Sequence, residues 1–218
     1  MQAPVSYKLL QQQLWLSADR CIFWEEEKVL IVSDLHFGKT GHFRKSGIAV
    51  PQSVYKKDLQ RLFHQVQYFQ PRKLIVVGDL FHSRENKELE LFLKWRHDFP
   101  NLEILLVRGN HDILHQNWYS QADIEVEEEE LLLGHFRFRH DKETVTQTQT
   151  QYLFSGHIHP GVRISGMGKQ SLRLPCFYFA KDYCVLPAFS AFTGTYTMYP
   201  EDGENVFAIV ENKILQLQ

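Results

Sequence analysis

Aspartate, asparagine and histidine residues cluster directly after the apolar runs of this sequence. An Asp-x-His follows "KVLIVS", an Asp follows "KLIVVG", and "NHD" follows "LEILLVRG". A further histidine and a His-x-His pair come later, in "FRFRHD" and "SGHIHP". The residues concerned are Asp34, His36, Asp79, Asn110, His111, His140, His157 and His159. So many polar side chains of these types at the ends of apolar runs exceed what simple chain connections require.

The chemistry that this set favours is divalent-metal binding. Histidine nitrogen and carboxylate oxygen are ligands for Mn²⁺, Fe²⁺ and Zn²⁺, and the set contains no thiolate. In Asp-x-His and His-x-His, alternate residues of an extended chain point to the same face, so that both can reach one site. The set is larger than one ion needs, which predicts two ions that share a carboxylate. Such pairs activate water and stabilise in-line displacement at phosphorus.

In the first half of the chain, the elements that must position these residues alternate between strands and helices. "RCIFW" and "KVLIVSD" predict a hairpin. Residues 52–69 and 85–99 have helical apolar spacing, and the runs that follow them predict strands buried on both faces. This β-α-β-α-β order predicts a parallel sheet. Ligands of open α/β sheets bind beyond the carboxyl ends of the strands, so the polar clusters should converge there.

The second half of the chain has a different pattern. From about residue 131, short apolar runs predict strands joined by tight turns, with a last hairpin turn at "ENK" (211–213). We expect an α/β fold in which two mixed sheets pack face to face and are flanked by helices, a four-layer sandwich. The acidic run 125–130 predicts a loop or sheet edge, and "TVTQTQTQ" (144–151) predicts an exposed strand or loop. Nothing marks a domain boundary, so residues 1–218 are expected to form one domain.

Composition narrows the class of protein. Apolar residues make up 44% and charged residues 23% of the 218, an ordinary globular balance. The net charge of −2 provides no overall basic field for nucleic acid. The three cysteines form no CxxC and are expected to be reduced thiols. With no signal-peptide pattern and no apolar stretch of membrane-spanning length, we expect a soluble cytoplasmic protein without membrane contact.

The spaced blocks "DLH", "GD", "GNHD", "H" and "GHIH" together resemble the signature of the calcineurin-like metallophosphoesterases. The resemblance implies one ion held by Asp34, His36, Asp79 and His159, and another held by Asp79, Asn110, His140 and His157. It implies further that Asp79 bridges the ions, that a hydroxide between them attacks phosphorus, and that His111 protonates the leaving oxygen. His135 competes with His140 for its place, and "RHDKE", at a strand end before a turn, favours His140.

The block "GDLFHS" departs from the pattern of many members of this family. His82 stands where those members have a second aspartate. In this respect the block is similar to a group of DNA repair nucleases within the family. That similarity implies that His82 assists His111 at the leaving group, and a purely orienting role for His82 is the alternative.

Longer stretches resemble the DNA-ligase-associated branch of the family. They include "ADRCIFW", "DLHFGKTGHFRKSGIAVP", "LPCF" and "LPAFSAFTG". The resemblance implies a Mn²⁺-dependent phosphodiesterase that acts as a nuclease in DNA repair, in functional association with a DNA ligase and a helicase. Fe²⁺ and Zn²⁺ also suit the ligands. The candidates for binding the phosphates beside the scissile bond are the basic residues Lys39, His42, Arg44, Arg84 and Arg108.

Three functions therefore stand at this point. The first is a two-metal phosphodiesterase that cleaves DNA. The second is a phosphodiesterase or phosphatase of small nucleotides or cyclic nucleotides, which the near-neutral charge allows. The third is a non-catalytic scaffold on the same fold, which the intact set of blocks and the presence of His111 disfavour.

Overall fold

The computed structural model describes residues 3–39, 53–82, 87–142, 151–166 and 170–217. The first ten elements in chain order are β1 (Val5–Leu9), β2 (Gln12–Ser17), β3 (Cys21–Trp24), β4 (Val29–Val32), α1 (Ser53–Phe69), β5 (Lys73–Val77), α2 (Lys87–His97), β6 (Glu103–Val107), α3 (Gln116–Gln121) and β7 (Ile124–Glu127). The remaining nine are β8 (Leu131–Leu133), β9 (Phe136–Phe138), β10 (Tyr152–Ser155), β11 (Pro160–Ser165), β12 (Ser171–Phe179), β13 (Tyr183–Val185), β14 (Tyr196–Thr197), β15 (Asn205–Val210) and β16 (Lys213–Gln216).

The first sheet contains the β-α-β units that the sequence predicts. Its strand order is β1-β2-β3-β4-β5-β6-β7. The pairs from β1 to β4 are antiparallel, and β4 to β7 run parallel because a helix connects each successive pair. The apolar stretches of β4, β5 and β6 are buried on both faces, as continuous apolar runs predict. Their carboxyl ends therefore open at one edge of the sheet.

The second sheet is built from the second half of the chain. Its main path is β14-β11-β12-β13-β10-β9-β8, and β15 and β16 extend it from β12. Parallel and antiparallel pairs are mixed, since β10 runs parallel to both β9 and β13. None of the residues described after Gln121 belongs to an α-helix.

Apolar side chains pack in three layers around the two sheets. The alternation of side chains along each strand places Ile75 and Val77 against Phe154 and Phe177, between the sheets. Residues of the opposite face of the first sheet pack on α1 and α2. A smaller cluster that includes Cys176 lies on the other face of the second sheet. The predicted α/β sandwich of two mixed sheets with flanking helices is confirmed.

Most predicted elements are found, with small differences at their ends. Both predicted helices, the β3–β4 hairpin and the final β15–β16 hairpin are present. The acidic run contributes to β7, which forms an edge of the first sheet. Helix α3 was not predicted, because its six residues carry no apolar period. The "TVTQTQTQ" stretch lies outside the described residues except for Gln151. Among the described residues, no helix has the length and apolar character needed to span a membrane.

Candidate metal centre

The polar residues singled out in the sequence meet at one place. Asp34 and His36 follow β4, Asp79 follows β5, and Asn110 and His111 follow β6. The other three approach from the second sheet: His140 follows β9, and His157 and His159 lie between β10 and β11. The site thus lies where the carboxyl ends of the parallel strands face the second sheet. Both halves of the chain are needed to form it.

One group of side chains consists of Asp34, His36 and His159. Nε2 of His159 lies 3.1 Å from Oδ1 of Asp34 and 3.3 Å from Nε2 of His36. Nε2 of His36 lies 3.9 Å from the same Asp34 oxygen. These ligand atoms lie within 4.8 Å of one another, close enough to bind one ion. The group contains three of the four residues that the resemblance assigns to one ion.

A second group surrounds His140. Its Nε2 lies 3.5 Å from Oδ2 of Asp79, 3.3 Å from Oδ1 of Asn110 and 3.3 Å from Nδ1 of His157. Asp34, Asp79 and His140 also lie within metal-binding distance of one another. The group contains all four residues that the resemblance assigns to the other ion. His140 joins it rather than its rival His135, which is exposed at the opposite end of β9.

The donor set fits divalent cations. Nδ1 of His36 is buried and has no hydrogen-bond partner in the part of the chain that the structure describes. Leaving such an atom unpaired costs free energy, which a bound cation would recover. Nδ1 of His140 donates to the Val77 carbonyl at 3.0 Å, and this bond turns Nε2 towards the other candidate ligands.

The ionisation of these groups also indicates a site for cations. Burial alone would raise the pKa of Asp79, but a hydrogen bond from His140 and the charges of His140 and His36 lower it to about 2. Burial would lower the pKa of His140, but the hydrogen bond to Asp79 and the charges of Asp34 and Asp79 raise it to about 9. The pKa of Asp34 is lowered against burial by His159 and His140. The two carboxylates therefore stay ionised and attract positive charge.

The backbone at the site is unusual. Five of the seven candidate ligands have positive φ angles: Asp34 (54°), His36 (51°), Asp79 (53°), His157 (65°) and His159 (53°). Few non-glycine residues occupy this left-handed region, although Asp and His do so more often than most. Such conformations persist where the surrounding structure enforces them, and they cluster at functional sites. The turns thus hold side chains where an extended strand could not.

Three glycines let the strands approach this closely. A Cβ atom on Gly78 would lie 2.0 Å from Nδ1 of His140, and one on Gly109 would lie 2.2 Å from Oδ1 of Asp79. A Cβ atom on Gly156 would lie 1.9 Å from Oγ of Ser33. Each glycine precedes a candidate ligand in the sequence, which gives the Gly-Asp, Gly-Asn and Gly-His pairs a steric reason.

His111 and His82 lie side by side at the edge of the site. Nε2 of His111 is 3.9 Å from Oδ2 of Asp79, and the His111 side chain is 43% exposed. The ring centroids of His82 and His111 are 4.1 Å apart, and His36 lies next to both. His111 therefore reaches from the buried carboxylate to solvent, where a leaving group could accept its proton. The structure places His82 where it can act on His111.

The turn that carries Asn110 and His111 is braced by residues on each side. Asp112 is buried and accepts N–H bonds from Phe81 at 3.0 Å and Gly109 at 2.9 Å. Arg108 donates to the Asp112 carbonyl at 2.8 Å and pairs with Glu128 at 2.8 Å. The guanidinium of Arg108, predicted as a phosphate ligand, is thus engaged in holding the turn.

Other residues support the site, and the sequence pattern does not indicate them. Oγ of Ser33 lies 2.5 Å from Oδ2 of Asp34, which also accepts the His157 N–H at 3.1 Å. A second support is the segment 188–191, which donates from Phe189 to the Ser33 carbonyl and from Ser190 to the Asp34 carbonyl. Arg20, Asp58 and Arg61 bind this segment from the other side. Hydroxyl and backbone contacts of this kind leave no pattern in the sequence.

The predicted phosphate-binding residues are only partly described. Lys39 is half-buried and its N–H donates to the His36 carbonyl at 3.1 Å, so it lies beside the candidate ligands. Burial lowers the pKa of Lys39. His42, Arg44 and Arg84 lie outside the described residues.

Known proteins are similar to this chain in sequence and in fold. The family model of the calcineurin-like phosphoesterases matches residues 27–159. The crystal structure of the nuclease MPE from Pseudomonas putida is similar to this chain, with 29% sequence identity and a TM-score of 0.83. The match covers 98% of this chain and 100% of the nuclease chain. The phosphoesterase Yfce from E. coli is similar to 87% of this chain over 97% of its own, with 16% identity and a TM-score of 0.44, a likeness too slight to inform on this chain. The sequence has no significant match among curated proteins.

Proposed function

The chain belongs to the calcineurin-like phosphoesterase family and is a metal-dependent phosphoesterase, and from this premise we propose that it is a nuclease that hydrolyses phosphodiester bonds of DNA. The observation that carries the proposal is the likeness to a nuclease along 98% of the chain at 29% identity. The network around Asp79 supports it, since its histidine nitrogens and its Asp and Asn oxygens are donors for divalent ions.

The proposed ions would be held by the two groups of side chains that Asp79 joins. One ion would use Asp34, His36, Asp79 and His159, and the other would use Asp79, Asn110, His140 and His157. When bound, they would supply Lewis acidity towards the phosphoryl oxygens and an activated water. We propose Mn²⁺ as the native ion. Fe²⁺ and Zn²⁺ suit the same donors.

The protein's own groups would orient the reaction and move protons. The Asp79 carboxylate accepts the His111 N–H at 2.9 Å, which fixes the backbone of His111 beside the site. The exposed ring of His111 would then donate a proton to the departing oxygen, so that the alcohol leaves in its neutral form. The ring of His82, which contacts that of His111 at an interplanar angle of 46°, would hold the His111 ring in place and assist the proton transfer.

The proposal is tested by hydrolysis of bis(p-nitrophenyl) phosphate and p-nitrophenyl phosphate by pure protein with Mn²⁺, alongside circular single-stranded DNA. We expect the diester to be the better substrate, the circle to be cut, and His111→Ala to lose both activities. His64→Ala is the matched control, because His64 is an exposed histidine of α1. Turnover of the monoester alone would reject the nuclease and favour a phosphatase.

We further propose that this nuclease acts in DNA repair together with a DNA ligase and a helicase. The support is the resemblance of "LPCF" and "LPAFSAFTG" to the ligase-associated branch. A ligase can seal only a 3′-hydroxyl next to a 5′-phosphate. End-labelling of the products should therefore show these two groups. Products with 3′-phosphate ends would contradict a direct hand-over to a ligase.

A further inference from the structure

Strands β11 and β12 form a hairpin that projects beyond the rest of the second sheet. Residues 176–179 of β12 pair with β13 and β15, whereas residues 171–175 pair with β11 alone. On its other side β11 pairs with β14 only at Pro160 and Gly161. We call residues 160–166 and 170–175 the arm. The arm begins directly after His159, so it starts at the candidate metal centre.

Two arginines face each other across the arm. Arg163 on β11 and Arg173 on β12 are direct partners in the strand register, and both are exposed. Arg173 donates to the Thr195 carbonyl at 3.1 Å. Neither arginine forms an ion pair with any residue that the structure describes. Like charges directly opposite on paired strands are destabilising, so the pair is explained best by an anion that binds to both.

The arginines lie on the face of the arm that continues into the space between the two sheets. Side chains two residues apart share a face of a strand. Arg173 therefore shares its face with Phe177 and Phe179, which pack between the sheets. Leu174 belongs to the cluster on the opposite face. Both arginines thus point to the side on which the first sheet and its candidate ligands lie.

The distance along the arm is too long for one small ligand to contact both the candidate metal centre and the two arginines. Arg163 follows His159 by four residues, a separation of about 13 Å along an extended strand. A single phosphodiester group at the metal centre does not reach that far. A strand of linked nucleotides does, and it presents a phosphate at every step.

The local charge of this part of the chain suits a polyanion. Residues 144–181 contain no aspartate or glutamate and four lysine or arginine residues, in a protein of net charge −2. No carboxylate of this stretch can therefore compete with a phosphate for the arginines. Arg163 and Arg173 therefore give the arm a local positive charge that attracts a polyanion.

We propose that Arg163 and Arg173 bind phosphates of a polynucleotide strand whose scissile phosphate lies at the metal centre. The inference rests on the proposed function and names its substrate class: linked nucleotides rather than cyclic or other small phosphodiesters. Guanidinium groups bind phosphate oxygens in a bidentate manner, and such contacts position a strand without reading its sequence. The arm is then a substrate-positioning surface that extends the active site.

The test is a double variant, Arg163→Gln/Arg173→Gln, with a charge-matched control, Arg72→Gln/Lys94→Gln. Arg72 and Lys94 are exposed and lie before β5 and on α2, elements of the first half of the chain. Binding of a fluorescein-labelled oligodeoxythymidylate with Mn²⁺ is measured by anisotropy over a range of salt concentrations. Hydrolysis of bis(p-nitrophenyl) phosphate is measured in parallel.

For the arm variant we expect about tenfold weaker oligonucleotide binding and a log–log salt slope that is shallower by about 1.4, since each contact to a single strand contributes about 0.7. Hydrolysis of the small diester should equal wild type. Oligonucleotide binding equal to wild type, or weakened equally in the control, overturns the inference. If the wild-type protein did not hydrolyse the small diester, the proposed function would be rejected. The inference about the arm would not, because oligonucleotide binding tests the arm independently.

Discussion

Asp79 faces three histidines at once, and the candidate metal centre is organised around it. Its Oδ2 lies 3.5 Å from His140 Nε2 and 3.9 Å from both His36 Nδ1 and His111 Nε2. With its pKa at about 2, the carboxylate is ionised throughout the neutral range. A single negative charge shared by all these neighbours is the property that a ligand of two cations needs.

Asp79→Asn should therefore be the most damaging single change at the site. The amide keeps the size of the side chain but removes the charge, so both proposed ions would lose a charged ligand. We expect metal content to fall and diester turnover to drop by at least about 100-fold. Even the loss of a residue that only hydrogen-bonds to a metal ligand lowers metal affinity or activity by about 10–100-fold. Elemental analysis and steady-state kinetics measure the two effects. Exposed Asp98→Asn is the control, and Asp79→Asn with full metal content would reject the bridging role.

Ser33 offers a test of how the ligands are positioned. Its hydroxyl lies 2.5 Å from Oδ2 of Asp34, which leaves Oδ1 directed towards His159. Ser33→Ala removes this support but no ligand, so Mn²⁺ affinity should fall about 10–100-fold. Titration calorimetry measures the affinity. Ser155→Ala is a matched control, because Ser155 is equally buried and its Oγ has no hydrogen-bond partner among the described residues. Equal losses in both variants would indicate general destabilisation.

The sequence makes the charged residues of the site predictable but not their supports. Residues such as Asp34 and His159 stand out because Asp, Asn and His recur after several apolar runs of the same chain. Ser33 and Asp58 do not, because their contacts with Val77 and Ser190 join residues that are distant in the chain. Arg108 was predicted from its charge alone, and only the structure shows that Glu128 and the Asp112 carbonyl hold it.

At the scale of elements, the site depends on how closely neighbouring strand ends approach. The turns after β5 and β6 touch at Gly109, whose missing side chain leaves room for Asp79. A Cβ atom there would also lie 2.4 Å from the backbone nitrogen of Asp79, an atom that cannot move without shifting its strand. The spacing of the two strand ends is therefore set by a glycine.

Gly109→Ala should lower both stability and activity. Forcing a methyl group into a closely packed site costs about 1–3 kcal/mol, and the displaced turn carries Asn110 and His111. Urea unfolding measures the stability loss, and diester turnover measures the functional one. Gly194→Ala is the control, because a Cβ atom at Gly194 meets nothing within 4 Å. A Gly109→Ala protein as stable and active as the control would show that the turn has more room than the structure indicates.

The elements differ in how well the sequence predicts them. Helix α1 is predictable because its apolar residues recur at helical spacing, and β5 because its residues are buried on both faces. Helix α3 has six residues, too few for a period, and it is positioned by the packing of Tyr119. The sequence predicts the two strands of the arm. It does not predict that the arm projects beyond the sheet, because this depends on which strands pair with β11 and β12.

For the whole molecule, the candidate metal centre joins the two halves of the chain. The first sheet supplies Asp34 and Asp79, and the second supplies His140 and His159. The apolar layer between the sheets is likewise shared, since Val77 of one packs with Phe154 of the other. We therefore expect the proposed single domain, residues 1–218, to unfold as one unit, and the ions to stabilise both sheets together.

Calorimetry with and without Mn²⁺ tests this expectation. Free ion at about 100 times the dissociation constant should add about 2.7 kcal/mol per bound ion to the free energy of unfolding. For a chain of this size the midpoint should then rise by about 5–10 °C for each ion. We expect one transition, with equal calorimetric and van't Hoff enthalpies, that moves as a whole. In Asp79→Asn the shift should largely disappear. Two transitions, of which Mn²⁺ moves only one, would show that the halves fold separately and that the ions bind to one of them, because a site built from both sheets can form only when both are folded.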